Sequence, residues 1–294
     1  MKHYRIAFLL LLVATLTGCT DFFNQIVEIE IPEHTPSLAV SAHFRAQDTS
    51  LIVFVSRSAG ILDTVILDSV KIQNASVTVL RDGAPWQTVP HIGEGHFYLL
   101  LGEAIGSNPH TYTLRVSAPG FEPVESVQAM PSPVPILDAV YTPEGGVNPD
   151  GDKVNTLSVE FQDPPGGDNF YYMEAYTYIP DSIGDYKYNL VLQTEDPLVE
   201  PYEMGLIFKD GPIDGKKYSL KCYLPDNIHE TPGAKLVVRL HAISRDRYLF
   251  LRTLELYTNA QGNPFAEPVV VHNNIEGGVG IFTVGAVEEK EISF

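Results

Sequence analysis

Tyr112-Thr113-Leu114-Arg115-Val116-Ser117 alternates without a break, setting Tyr112, Leu114 and Val116 against Thr113, Arg115 and Ser117. Successive side chains of an extended chain point to opposite faces, so the stretch has one apolar and one wet face. That is the pattern of a strand in an antiparallel sheet packed on one side. Working outward, β-patterned runs recur at 38–44, 51–56, 75–80 and 96–101, and turn signals such as Asp82-Gly83, Gly93-Glu94-Gly95 and Pro119-Gly120 separate several of them. Their spacing predicts an antiparallel sandwich of Ig-like size.

Met130-Pro131-Ser132-Pro133-Val134-Pro135 then alternates proline, which removes backbone donors and favours an extended connection. A domain boundary is expected near Pro131, giving an Ig-like sandwich over 37–131 and a second β-rich domain over 132–294. Further runs lie at 157–161, 170–179, 188–193, 206–209, 217–224 and 235–242. One element differs: Tyr248, Leu251, Leu254 and Tyr257 recur at helical spacing, Ser244 is a natural N-cap, and Gly262 lies just past the end. The expected fold is therefore mainly β, with two sandwich-like domains and one amphipathic helix near residues 245–260 packed on the second.

The chain starts with Lys2 and Arg5, an apolar run from Ile6 to Val13, and small residues leading to Cys19. This is the grammar of a secretory signal over residues 1–18, and its apolar run is shorter than the ~20 residues a spanning helix needs. Leu16-Thr17-Gly18-Cys19 resembles a bacterial lipobox, which implies cleavage before Cys19, lipid attachment to its thiol, and a tether over 19–36. Net charge is −18 over 294 residues, and losing the signal removes two basic groups and no acid. Such a surface repels phosphate backbones, which argues against a nucleic-acid partner. There are two cysteines. With Cys19 acylated, Cys222 is left alone, on the same strand face as Tyr218, Leu220 and Leu224, and reads as a buried small hydrophobe.

No catalytic residues are called. Gly-x-Ser-x-Gly and His-Glu-x-x-His are absent, and no glycine cluster carries the lysine of a phosphate-binding loop. His91, Glu94 and His96 flank a glycine turn and read as solvated hairpin residues rather than a partial metal site. Asn148, Asp150 and Asp152 alternate oxygen-bearing side chains as calcium loops do, without EF-hand spacing; they are the weak calcium candidates of a chain with no other cofactor expected. Within Phe170 to Tyr178, alternation places Tyr172, Glu174, Tyr176 and Tyr178 on one face and Tyr171, Met173, Ala175 and Thr177 on the other. If the second set is core, the first is either a contact surface or is buried by the helix or by domain contacts.

Ala75 to Leu80, Gly95-His96-Phe97-Tyr98 and Tyr112 to Phe121 are similar to a carboxypeptidase-regulatory or transthyretin-like Ig-fold module. Phe161-Gln162-Asp163-Pro164, Asn169 to Tyr172, Ile243-Ser244 to Tyr248, Asn263-Pro264-Phe265 and Asn274 to Phe282 resemble an outer-membrane lipoprotein family of unknown function from Bacteroidota. The resemblance implies an outer-membrane lipoprotein, on the periplasmic or the cell-surface side, often associated with TonB-dependent receptors. It supplies no catalytic residues. The motifs themselves have structural readings: Asp163-Pro164 and Gly166-Gly167 suit turns, and Gly277, Gly278 and Gly280 allow tight backbone paths before a final strand. The expected function is a non-catalytic accessory component that binds a ligand or a TonB-dependent receptor. The alternatives are an exported glycan hydrolase with a carboxylate pair, or a structural or adhesive surface protein.

Overall fold

A computed structural model describes residues 34–60, 63, 67–180, 184–224, 233–263 and 265–293. The signal segment, Cys19 and most of the tether lie outside the described residues.

The chain is mainly β, with a sandwich-like arrangement of sheets and, among the described residues, one long helix. In order, the strands are β1 (Leu38–Arg45), β2 (Ser50–Arg57), β3 (Ser76–Arg81), β4 (Ala84–Val89), β5 (His91–Gly93), β6 (His96–Leu100), β7 (Thr111–Ser117) and β8 (Val124–Ala129). They continue with β9 (Ile136–Val147), β10 (Lys153–Gln162), β11 (Phe170–Ile179), β12 (Tyr186–Leu190), β13 (Val199–Tyr202), β14 (Gly205–Lys209), β15 (Lys217–Leu224), β16 (Lys235–Ile243) and β17 (Val279–Ser293). A single helical turn, α1 (Leu67–Val70), precedes β3, and α2 spans Arg245–Ala260.

One ten-stranded sheet runs β13-β14-β11-β16-β17-β1-β2-β6-β5, with β12 also paired to β11. A four-stranded sheet (β4-β3-β7-β8) and a three-stranded sheet (β15-β10-β9) complete the layers. Alternation decides what each buries. Leu38, Val40, Ala42 and Phe44 of β1 join Val77, Val79, Leu114, Val116 and Val124 in one apolar cluster. Tyr171, Met173 and Ala175 of β11 and Leu236, Val238 and Leu240 of β16 join Leu157, Val159, Phe161, Leu220 and Cys222 in another. The first cluster draws on residues up to Met130 together with Ile275 and residues 282–286 of β17, and the second on residues 134–242.

The two halves are nevertheless sutured. β17 pairs antiparallel with β16 over Gly285–Ser293 and parallel with β1 over Val279–Gly285, so Pro36–Phe294 forms one compact unit. Gly280 makes the junction: its φ is +122°, and a Cβ there would sit 2.0 Å from the Val40 carbonyl oxygen. Only a residue without a side chain lets β17 approach β1 so closely.

α2 begins where the sequence places it, with Ser244 Oγ accepting from Arg247 N at 3.3 Å. It lies across the outer face of the large sheet, where Tyr248 and Leu251 pack with Phe170, Tyr202, Ile207 and Ile243. Asp246 in its first turn accepts from Gln128 Nε2 (2.6 Å) of β8, His272 Nε2 (2.7 Å) and Asn274 Nδ2 (3.3 Å). Asn274 in turn bonds both backbone groups of Phe282, as a neighbouring strand would. The Asn274 to Phe282 motif thus laces helix, β8 and β17 together. Among the described residues no helix is long and apolar enough to cross a membrane.

Candidate functional site

The outer face of the ten-stranded sheet carries the residues that strand alternation singled out. Tyr172, Glu174, Tyr176 and Tyr178 of β11 all point away from the core. α2 covers Phe170 at one end of the row and Tyr172 packs against the same cluster, whereas Glu174, Tyr176 and Tyr178 lie on the face beyond it. Tyr176, although only 7% exposed, is shielded by cations rather than by the helix. The Lys187 ammonium sits 3.7 Å and the Arg239 guanidinium 4.8 Å from its ring centroid. Long basic side chains can cover apolar surface while keeping their charge near water.

Cross-strand pairing sets the charges in rows. Glu174 faces Arg239 of β16, which faces Glu289 of β17. Arg239 Nε lies 2.6 Å from Glu289 and its Nη1 3.7 Å from Glu174. Glu174 Oε1 is 3.3 Å from His241 Nε2. Hydrogen bonding to His241 first, with Arg239 and Lys187 adding attraction, outweighs burial and holds the Glu174 carboxyl at about 2. The Tyr172 hydroxyl donates to Glu174 Oε2 at 3.3 Å. The Tyr172 ring packs on His241 at 5.1 Å and on Tyr202 at 6.2 Å. Gly205 makes this packing possible, because a Cβ there would meet the Tyr172 ring at 2.6 Å. Tyr178 is more peripheral and donates to Asp185.

Where α2 begins, this face deepens into an open cleft of 280 Å³. Tyr172 and Glu174 form one wall with His241; His43 and Arg45 of β1, Tyr202 at the end of β13, Glu203 in the turn after it, Ile243 of β16, and Arg247 and Leu251 of α2 supply the rest. His43 Nδ1 bonds Thr283 Oγ1 at 2.8 Å. Burial, reinforced by Arg247, Arg45 and His241, pulls His43 down to about 3, so it is neutral at physiological pH. A second cavity of 530 Å³ shares Tyr172, Glu174 and Glu203 and continues past Asn189, Val191 and Met204. Sequence reading found Tyr172 and Glu174. It missed His43, Arg45, Tyr202, Glu203 and Arg247, which converge from three separate segments and share no local pattern.

The other candidates fall elsewhere. Asn148, Asp150 and Asp152 form the β9–β10 turn, where Asn148 Oδ1 accepts from Asp152 N at 2.8 Å and so closes the loop. Among the described residues, the group of three acids with converging oxygens is Asp163, Asp210 and Asp214, within 4.8 Å of one another. Protein donors already engage them: Tyr171 OH and Gly215 N (2.8 Å) bond Asp163, Asn169 N (2.9 Å) and Gly211 N (2.6 Å) bond Asp210, and Gly166 N (2.7 Å) bonds Asp214. This fastens the 163–170 loop to the 210–215 loop, in keeping with the turn reading of Asp163-Pro164 and Gly166-Gly167. His91 and His96 pack on different rings, Phe97 and Phe54. Cys222 is fully buried and its thiol is pushed up to about 12 by burial. The lipidation candidate Cys19 lies outside the described residues.

The model of the domain of unknown function DUF4249 matches residues 25–291. The chain belongs to the DUF4249 family. The matched span includes every strand that builds the cleft. Among curated proteins none matches this family member by sequence. A solved DUF4785 family protein from Legionella pneumophila is 11% identical with a TM-score of 0.25, covering 69% of this chain and 50% of that one. Salmonella α2-macroglobulin reacted with methylamine is 12% identical with a TM-score of 0.28, covering 92% and 16%. The B domain of a biofilm associated protein is 5% identical with a TM-score of 0.18, covering 86% and 85%. The chain thus spans about half of the first protein and about a sixth of the second. No activity is carried over from any of them.

Proposed function

We propose that the chain is a non-catalytic lipoprotein, held on the outer membrane by lipid on Cys19, that binds a ligand or a TonB-dependent receptor through the outer face of its large sheet. The observation that carries this reading is the cleft beside α2, where aromatic and charged side chains from β1, β11, β16, α2 and the β13–β14 turn converge. Binding sites combine a preformed concavity with a few fixed polar groups, and the hydrogen bonds of Glu174, His241 and His43 supply such order here. The lipobox resemblance and signal grammar support export and anchoring, and the likeness to Bacteroidota lipoproteins supports the receptor link. On this reading the first half serves as an Ig-fold module that carries the β1 edge of the cleft. The test is mild cross-linking in native membranes of the producing cell. Recovery of the full-length chain with an outer-membrane receptor, lost when Cys19→Ser prevents anchoring, is expected. Recovery of the wild-type chain alone, or turnover of a glycan substrate by the purified protein, would overturn the proposal.

A further inference from the structure

We infer that the cleft beside α2 takes a carboxylate, from a small organic acid or from the C-terminus of a peptide, with the Arg247 guanidinium as its anchor. The inference rests on the reading of this face as a binding surface and names the chemistry it recognises.

Arg247 differs from its neighbours in one respect. Arg45 is paired with Asp48 at 2.8 Å, Arg239 with Glu289 at 2.6 Å and Arg252 with Glu200 at 2.7 Å. Arg247 lines the cleft, yet among the described residues its guanidinium makes no ion pair and no hydrogen bond. Its backbone is fixed by the Ser244 cap. Burial pulls its pKa down, while Tyr202, Tyr172 and Glu203 pull it up. Arg247 is half-buried, and a charge partly withdrawn from water without a partner carries a cost that an anion entering the cleft would relieve.

The surroundings select which anion. Glu174 is committed to His241 and Arg239, and Glu203 lies beyond ion-pair distance of Arg247 although it lines the same cleft. These two acids, in a chain of net charge −18, oppose a dianion and tolerate a single negative charge. A guanidinium presents a planar fork of donors that matches a planar carboxylate. The Tyr172 and Tyr202 rings, 6.2 Å apart, give an apolar wall for the ligand's carbon skeleton. The adjoining 530 Å³ cavity past Asn189 and Met204 leaves room for a few residues or a short chain.

The test uses the full-length chain in detergent and four probes: tri-alanine with a free C-terminus, the same peptide amidated, butyrate and inorganic phosphate. The free acid is expected to bind at least about tenfold tighter than the amide. Butyrate, a carboxylate with a single negative charge, is expected to compete with it and phosphate to compete poorly. Arg247→Gln is expected to bring the free acid down to the amide's affinity, and Arg247→Lys, which keeps the charge and stem but not the fork, to lose most of the discrimination. Circular dichroism establishes that each variant scored is folded, so the lysine variant carries the test if the glutamine variant is not. Equal affinity for acid and amide, no binding of either peptide at about 10 mM, stronger competition by phosphate, or wild-type discrimination in the folded variants would overturn the inference. Receptor recovery is scored separately. Lost carboxylate selectivity with the receptor still recovered removes this inference alone, and intact selectivity with no receptor removes only the receptor arm of the proposed function.

Discussion

His43 lines the cleft beside α2 as a neutral histidine, held so first by burial and then by the nearby charges of Arg247, Arg45 and His241. Its folded pKa of about 3 lies below the ordinary value of 6.5. Between those values the unfolded chain binds the extra proton, so stability rises with pH and is lost as pH falls from about 6.5 toward 3. The limiting slope is about 1.4 kcal/mol per pH unit. Glu174 adds to the loss at lower pH: its folded value of about 2 lies below 4.5, so its contribution is full above 4.5 and disappears as pH falls through 2. Urea unfolding from pH 7 to 5 is therefore expected to show declining stability for the wild type and a flatter profile for His43→Gln. An unchanged profile in that variant would show that His43 already titrates normally in the folded protein. Alternation places Glu174 on the outer face, but nothing in the sequence marks His43. His43 reads as one more polar position in an alternating strand, and only the approach of Arg247 and His241 from distant segments gives it this environment.

Local chemistry made many of the elements legible. Phe170–Ile179 and Lys217–Leu224 have the expected bounds, and α2 starts at Arg245 as its cap predicts, ending three residues beyond Tyr257. The expectations passed over β4, which contains Pro85, and β9, which carries Pro143, Gly145 and Gly146. Proline and glycine weaken a strand signal, and in both cases pairing with a well-patterned neighbour, β3 or β10, holds the strand in place. Two of the residues lining the cleft were legible for the same reason, since Tyr172 and Glu174 sit on an alternating strand. Arg247 was hidden because its importance comes from what it lacks, a partner. At this scale the decisive contact of α2 is Asp246. Burial opposes its charge, but hydrogen bonds from Gln128, His272 and Asn274 keep its carboxyl below the ordinary range. Asp246→Ala strips one acceptor from three donors, including the buried Gln128, and is expected to cost about 2–3 kcal/mol in urea unfolding. A loss below about 0.5 kcal/mol would mean that the helix is held by its apolar face alone.

At the scale of the whole molecule, β17 turns two apolar clusters into one unit, because it is the strand to which β16 and β1 both pair. The glycines at 277, 278 and 280 made a final strand legible but not its partners, since parallel pairing with a segment some 240 residues earlier leaves no local trace. Gly280→Ala places a methyl group against the Val40 carbonyl and strains a left-handed φ. It is expected to cost about 3 kcal/mol, measured by thermal unfolding, and an unaffected variant would show that the β1–β17 junction has slack. The same suture brings β1, with His43 and Arg45, to the edge of the cleft, so fold and site depend on one pairing. The central claim is that this outer face is where the chain meets its ligand or receptor. A photo-crosslinking amino acid placed at Met204, exposed beside the cleft, can be compared in native membranes with one at Leu100, exposed on β6. The account predicts a specific receptor adduct from position 204 and none from position 100; adducts from position 100 alone would contradict it.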